Sequence, residues 1–129
     1  MRVLVFGLPG SGKTTFARQL SAGHAYFNAD EVRKMFNDWD FSPEGRTRQA
    51  QRMGCLSSLV DGHSIVDFIC PFDEDRHEYD VKVWMNTIDK GRFDDTNQMF
   101  EKPNHCTFEI KDFNYDNVIK EIRAKLLIK

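Results

Sequence analysis

The residues Gly7-Leu8-Pro9-Gly10-Ser11-Gly12-Lys13-Thr14 fit the pattern G-x-x-x-x-G-K-S/T at every constrained position. The chemistry such a stretch supports is phosphate binding. Its glycines let the backbone curl until several N–H groups converge on one point, and a helix starting there adds its positive end. Lys13 is a point charge for β- and γ-phosphates, and the Thr14 hydroxyl is a ligand for Mg²⁺. The expected nucleotide-binding set is Gly7, Pro9, Gly10, Ser11, Gly12, Lys13, Thr14 and Thr15, with a nucleoside triphosphate and Mg²⁺ bound. A glycine turn with no ligand is the alternative. A buried strand before the loop and an amphipathic helix after it favour the phosphate loop. Nothing in the loop selects the nucleoside.

A phosphate loop of this kind serves a kinase, a GTPase switch or a motor. The N-K-x-D motif expected of a guanine-specific switch is absent from the sequence, and motors need larger domains. A phosphotransferase needs an acceptor site opposite the γ-phosphate and a group to orient or deprotonate the acceptor hydroxyl. Asp30, just past the second expected strand, is the best candidate for that task; the alternative is that it only caps the helix that follows, and one residue can do both. Asp67 lies inside an apolar run, Ile65-Val66-Asp67, in the form of a Walker B strand. It reaches Mg²⁺ directly or through water, or is bonded to backbone amides at a strand end. Arg33, Arg46, Arg48, Arg52 and Arg76 lie on helices leading to the same edge, and the guanidinium fork suits phosphate or sulfate oxygens. For Arg48 a solvated surface role is preferred. Phe93 and Phe100 stand in a polar stretch, where an aromatic side chain either stacks on a purine or packs the loop onto the core.

The elements that must position these groups follow from periodicity. Arg2–Phe6 reads as a buried parallel strand, Lys13–Ser21 as a helix stopped by Gly23, and 24–27 as a second strand. The residues 30–36 predict a short helix with Val32, Met35 and Phe36 on one face. Ser42-Pro43 is a helix start, an N-cap residue followed by Pro at the first helical position, and the helix runs to about Val60. The run 64–70 is a third strand closed by Pro71, 73–79 a short helix, and Val81–Met85 a fourth strand. The polar stretch 86–104 reads as a long functional loop. A fifth strand over 106–110 precedes a closing helix with Tyr115, Val118, Ile119, Ile122, Leu126 and Leu127 as its apolar stripe. Strands alternating with helices predict an α/β fold, a P-loop NTPase-type three-layer sandwich of about five parallel strands with helices on both faces.

The chain has 129 residues, enough for one domain, and the expectation is a single kinase-type domain over 1–129. A net charge of −2 argues against a nucleic-acid partner, which would require a basic excess. No apolar run approaches the roughly 20 residues of a membrane span and no signal-peptide pattern opens the chain, so a cytoplasmic protein is expected. Cys55, Cys70 and Cys106 form no metal spacing or disulfide framework; each reads as a small buried apolar residue. The stretch Phe36–Phe41, with Trp39, is either core or a surface for a homodimer.

Beyond the phosphate loop, several stretches resemble the adenylylsulfate (APS) kinases. Phe27-Asn28-Ala29-Asp30-Glu31-Val32-Arg33 is similar to that family's LDGDNVR, Phe41 through Arg46 to GFSPEDR, Phe68 through Arg76 to FISP…DR, and Phe93 through Pro103 to FTGIDDPYEPP. The resemblance implies ATP as donor, Mg²⁺ as cofactor and a small anionic, adenine-bearing acceptor, adenylylsulfate, phosphorylated at its ribose 3′-hydroxyl. It implies that Asp30 acts on that hydroxyl, that Arg33 and Arg46 hold the phosphosulfate, and that Phe93 stacks on the substrate adenine. The candidate catalytic residues are therefore Lys13, Asp30 and Arg33; the candidate substrate contacts are Asp30, Arg33, Arg46, Phe93 and Phe100; the candidate metal ligands are Thr14 and Asp67. The sequence departs from the family at Gly45 (Asp there), Gln49 (Asn), Cys70 (Ser) and Asp67 (Ser). The basic lid that the family carries after its fourth strand is shortened to Asn86–Phe93, where Lys90 and Arg92 are the candidates to replace its charges. A P-loop kinase with another acceptor, such as a nucleotide, a sugar or a polynucleotide end, and a nucleotide-binding regulatory protein without transfer activity are the alternatives.

Overall fold

The first strand, β1 (Arg2–Phe6), has Val3, Leu4, Val5 and Phe6 fully buried. An apolar run without alternation needs cover on both faces, and a parallel sheet flanked by helices supplies it. The computed structural model, which describes residues 1–127, has that arrangement. With β2 (Ala25–Asn28), β3 (Ser64–Asp67), β4 (Val81–Met85) and β5 (Phe108–Ile110), the strands pair in the parallel order β2-β3-β1-β4-β5. Alternate strand residues feed two cores. On one face Val3, Val5, Ile65 and Val83 pack with Phe16 and Leu20 of α1 (Lys13–Ser21) and with Ile119 and Ile122 of the closing helix (Asp116–Leu126). On the other, Leu4, Phe6 and Val66 pack with Val32 of α2 (Ala29–Phe36) and Met53 of α3 (Pro43–Ser58). The three-layer α/β sandwich expected from the sequence is thus present. Among the described residues no helix is long and apolar enough to cross a membrane.

Several boundaries differ from expectation. The helix over 29–36 is capped by Asn28, whose side chain accepts from the Asp30 and Glu31 amides, so Asp30 is not the cap. Of its expected apolar face only Val32 is buried; Met35 and Phe36 are exposed, the latter under the Arg52 guanidinium at 4.4 Å. Trp39 and Phe41 are also exposed, which removes the core reading of that stretch. The third strand stops at Asp67. Phe68 still donates to Val5 O, but Cys70 has φ 47°, a left-handed residue that no β-ladder accommodates. The segment after Pro71 is a 3₁₀ turn, Asp73–Arg76, and not a longer helix. The stretch read as one long loop contains α4 (Asp94–Met99), pinned by its buried Thr96. The closing helix, α5 (Asp116–Leu126), buries Ile119, Ile122 and Leu126, with Tyr115 buried at its N-cap and Leu127 exposed past its end. Of the cysteines only Cys70 is fully buried; Cys106 is half-buried and Cys55 lies on the solvent face of α3. The α3 start is as expected: Ser42 Oγ accepts from Gly45 N at 3.2 Å, with Pro43 in the first turn.

Candidate active site

The chain leaves β1 in the middle of the sheet and places β3 and β2 on one side of it, β4 and β5 on the other. At such a reversal the C-terminal strand ends open into a crevice. Here the crevice is a cavity of about 510 Å³ lined by Pro9, Gly10, Lys13 and Thr14 of the phosphate loop. Gly12 joins loop to helix with φ 92° and ψ 18°, a left-handed turn for which glycine carries no steric cost. Gly7, Ser11, Gly12 and Thr15 are not among the lining residues; Gly7 and Ser11 are buried, and Thr15 is exposed on α1. Lys13 Nζ donates to Leu8 O at 3.0 Å. Burial lowers its pKa to about 8, against the opposing pull of Asp67 and then Asp30. The shortened segment after β4 lies against the loop, with Thr87 Oγ1 donating to Ser11 O at 2.8 Å.

Thr14 faces a group of side chains from β2 and β3. Asn28 and Asp67 are register partners at the ends of these strands. Asn28 Nδ2 donates to Asp67 Oδ2 at 3.1 Å and reaches Thr14 Oγ1 at 3.4 Å, while the Tyr26 hydroxyl donates to the same Asp67 oxygen. Burial, and then that bond to Asp67, push the Tyr26 pKa up to about 12. Asp67 is 2% exposed yet lines the cavity, and its Oδ1 accepts no hydrogen bond from the described residues. A hard cation that keeps waters and substrate phosphates as most of its ligands needs only one or two protein oxygens. The Thr14 hydroxyl and the open Asp67 oxygen fit that requirement for Mg²⁺. The described residues form no cluster of three or more His, Cys, Asp or Glu suited to a metal.

The same cavity is lined by acceptor candidates. Asp30 lines the cavity from the first turn of α2, its carboxylate without a hydrogen bond among the described residues. Arg33 and Arg46, each 4% exposed, line it too. Arg33 donates to the Asp38 and Asp40 carbonyls at 3.0 and 3.1 Å; Arg46 donates to Phe41 O at 2.8 Å and to Thr96 Oγ1 at 2.7 Å. Both guanidinium carbons lie over the Phe41 ring, at 4.3 and 5.5 Å. Burial lowers both pKa values, but a guanidinium stays charged, so the wall is cationic. Phe93, 53% exposed, and Arg92 complete the rim, whereas Lys90 is exposed and outside the lining.

Other candidates stand elsewhere. Phe100 stacks on Phe6 at 6.4 Å and belongs to the packing of the core, outside the cavity. Arg76 is buried between Phe6 and Phe100, and Arg48 and Arg52 pair with Asp38. These ion pairs, with the Asp40 amide, hold the Asp38 carboxyl well below the usual carboxylate range. The cavity also contains residues to which reasoning on the sequence gave no role at the site: Asn28, Phe41, Gln49 and Thr96. Gln49 Nε2 donates to Ala29 O at 3.0 Å, and its buried Oε1 has no partner among the described residues. A readable signal existed only for Asn28, an N-cap residue type two positions before Asp30.

A family model described as adenylylsulphate kinase matches residues 1–93. No curated protein matches. Among solved structures, an APS kinase from Mycobacterium tuberculosis in complex with AMPPNP and APS is 21% identical over 99% of this chain and 97% of that one, with a TM-score of 0.75. A shikimate kinase from Aquifex aeolicus is 17% identical over 98% of this chain and 96% of that one, with a TM-score of 0.66. A gluconokinase from Sinorhizobium meliloti is 14% identical over 98% and 91%, also with a TM-score of 0.66. At these identities the structures share a fold with the chain, the P-loop NTPase type.

Proposed function

The chain belongs to the adenylylsulphate kinase family and is a P-loop kinase, and on that premise we propose that it transfers the γ-phosphoryl group of ATP to the ribose 3′-hydroxyl of adenylylsulfate. The observation that carries this reading is the wall of Arg33, Phe41 and Arg46, which shares one cavity with the phosphate loop and Asp30. Two buried cations suit the phosphosulfate of the acceptor, and the exposed Phe93 ring at the rim suits its adenine. Lys13 and the loop amides hold the triphosphate. Asp30 orients the 3′-hydroxyl and takes its proton as the new O–P bond forms and the bond from the γ-phosphorus to the β–γ bridging oxygen breaks. Thr14 and Asp67 would hold Mg²⁺, which when bound would neutralise charge at the phosphate oxygens.

Incubation of the purified chain with Mg-ATP and adenylylsulfate tests the proposal; ADP and phosphoadenylylsulfate are the expected products. ADP release no faster than without acceptor overturns the choice of acceptor. A second reading, another small anionic acceptor, draws support from Phe100, which the family resemblance places in a shared motif but which packs on Phe6. An acceptor panel that includes shikimate and gluconate, with Asp30→Asn as the blank, separates the two.

A further inference from the structure

Asp67 differs from an ordinary buried carboxylate in how its two oxygens are used. Oδ2 receives both the Tyr26 hydroxyl and Asn28 Nδ2, whereas Oδ1 receives no hydrogen bond from the described residues and the side chain lines the cavity. Two donors on one oxygen fix the carboxylate plane and leave the other oxygen's lone pairs directed elsewhere.

Asn28 cannot turn away from this task. Its Oδ1 accepts from the Asp30 and Glu31 amides at 3.0 and 3.2 Å, so its Nδ2 must face the strand ends. From there it lies within reach of three oxygens: Asp67 Oδ2 at 3.1 Å, Thr14 Oγ1 at 3.4 Å and Tyr26 OH at 3.4 Å. The Tyr26 ring packs against the core formed with α1, which sets the direction of its hydroxyl. One amide therefore ties the helix that carries Asp30 to Thr14 and to Asp67.

We propose that Tyr26 and Asn28 are positioning residues for the metal site: they clamp Oδ2 of Asp67 so that Oδ1 is presented, beside the Thr14 hydroxyl, to the Mg²⁺ that accompanies the nucleotide. Outer partners of this kind orient a ligand without touching the ion. The inference rests on the P-loop kinase reading and on Asp67 as a metal ligand, and does not depend on adenylylsulfate as acceptor.

Mn²⁺ is the probe. Its apparent Kd in the complex with ADP is measured by electron paramagnetic resonance of the free ion, and ADP binding is measured separately in EDTA. Tyr26→Phe removes only a hydroxyl, and Asn28→Ser removes the amide donor while keeping a competent N-cap. Each is expected to weaken Mn²⁺ binding about tenfold, with metal-free ADP affinity unchanged. Asp67→Asn, the reference, should weaken it at least as much. If both variants bind Mn²⁺ like the parent while Asp67→Asn does not, the positioning role is overturned and the ligand assignment stands. If Asp67→Asn also binds like the parent, the ligand assignment falls with it, and the acceptor assay decides the kinase reading independently. Loss of ADP affinity by equal factors with and without metal overturns the proposal in favour of general damage to the site.

Discussion

Burial lowers the Lys13 pKa to about 8, and a bound triphosphate must raise it again, because each phosphate oxygen near the ammonium favours the charged form. Below pH 8 the free protein already carries the cation and binding takes up little proton. Above it the free protein has lost the charge, so binding Mg-ATP must pull a proton from solution. Affinity is then expected to fall by about tenfold per pH unit above pH 8, until the pKa of the bound state is reached. Calorimetry at pH 9 in two buffers of different ionisation enthalpy should register uptake of about one proton. Flat affinity to that pH with no uptake would show that the loop keeps its charge unaided. At Asp30 the expectation is different in kind. The Asn28 side chain caps α2, so the Asp30 carboxylate is spare, and Asp30→Asn should leave the fold and Mg-ATP affinity intact while lowering transfer by about 10²–10⁴-fold. The sequence could not separate the two roles at Asp30, since Asn28 and Asp30 are both good cap residues; only the backbone register of the first turn decides between them.

The connection between α2 and α3 shows why some elements were legible and others were not. The phosphate loop, the strand before it and the Ser42-Pro43 helix start follow local rules, and β1, α1 and the start of α3 stand where those rules put them. The end of β3 depends on a left-handed turn at Cys70, and α4 on a tertiary bond from Arg46 to Thr96; neither leaves a trace in local periodicity. The same is true of Gly45, which stands where the family has Asp. A Cβ there would lie 2.1 Å from the Asp40 carbonyl oxygen, so the connection closes onto α3 only because the side chain is absent. That connection is held by Arg33 on its carbonyls and by Arg48 and Arg52 on its carboxylates, and it presents Phe41 to the cavity. Gly45→Ala is therefore expected to destabilise the protein by about 1–3 kcal/mol, the cost of overpacking against backbone. It should also raise KM for the acceptor more than KM for ATP, because the displaced turn carries the cationic wall and not the phosphate loop. Urea unfolding and steady-state kinetics of one variant check both halves; a rise confined to the ATP KM would place the turn on the donor side.

Across the whole molecule, one arginine fastens the site to the sheet. Sequence reasoning grouped Arg76 with the phosphate-binding arginines because it approaches the same edge, but burial cannot be read from charge. In the structure it is 1% exposed, with its guanidinium carbon 4.4 Å from the Phe6 ring centroid and 5.0 Å from that of Phe100. Its nitrogens donate to Cys70 O at 2.9 Å, Pro71 O at 3.1 Å and Glu101 O at 2.6 Å, with Asp73 as counter-ion at 3.2 Å. These contacts join the turn after β3 to the chain that leaves α4, two segments distant in sequence that must meet for the cavity to have a wall. A planar fork can serve three carbonyls at once while stacking on a ring; an ammonium at the end of a flexible stem cannot. Arg76→Lys keeps the charge but leaves buried carbonyls unpaired, at about 1–3 kcal/mol each. Arg76→Met leaves all three carbonyls without this donor and removes the partner of the partly exposed Asp73, so it should cost more than Arg76→Lys, a large share of the roughly 5–15 kcal/mol typical of a domain. The expected result for Arg76→Lys is a lower urea midpoint with an unchanged slope, the sign of lost stability without a change in the surface exposed. Because Cys70 and Pro71, whose carbonyls it holds, line the cavity while its own guanidinium does not, the folded fraction should show a raised acceptor KM beside an unchanged ATP KM, together with the lower midpoint. Parent stability with a raised acceptor KM would instead return Arg76 to the anion-binding group and make its burial incidental.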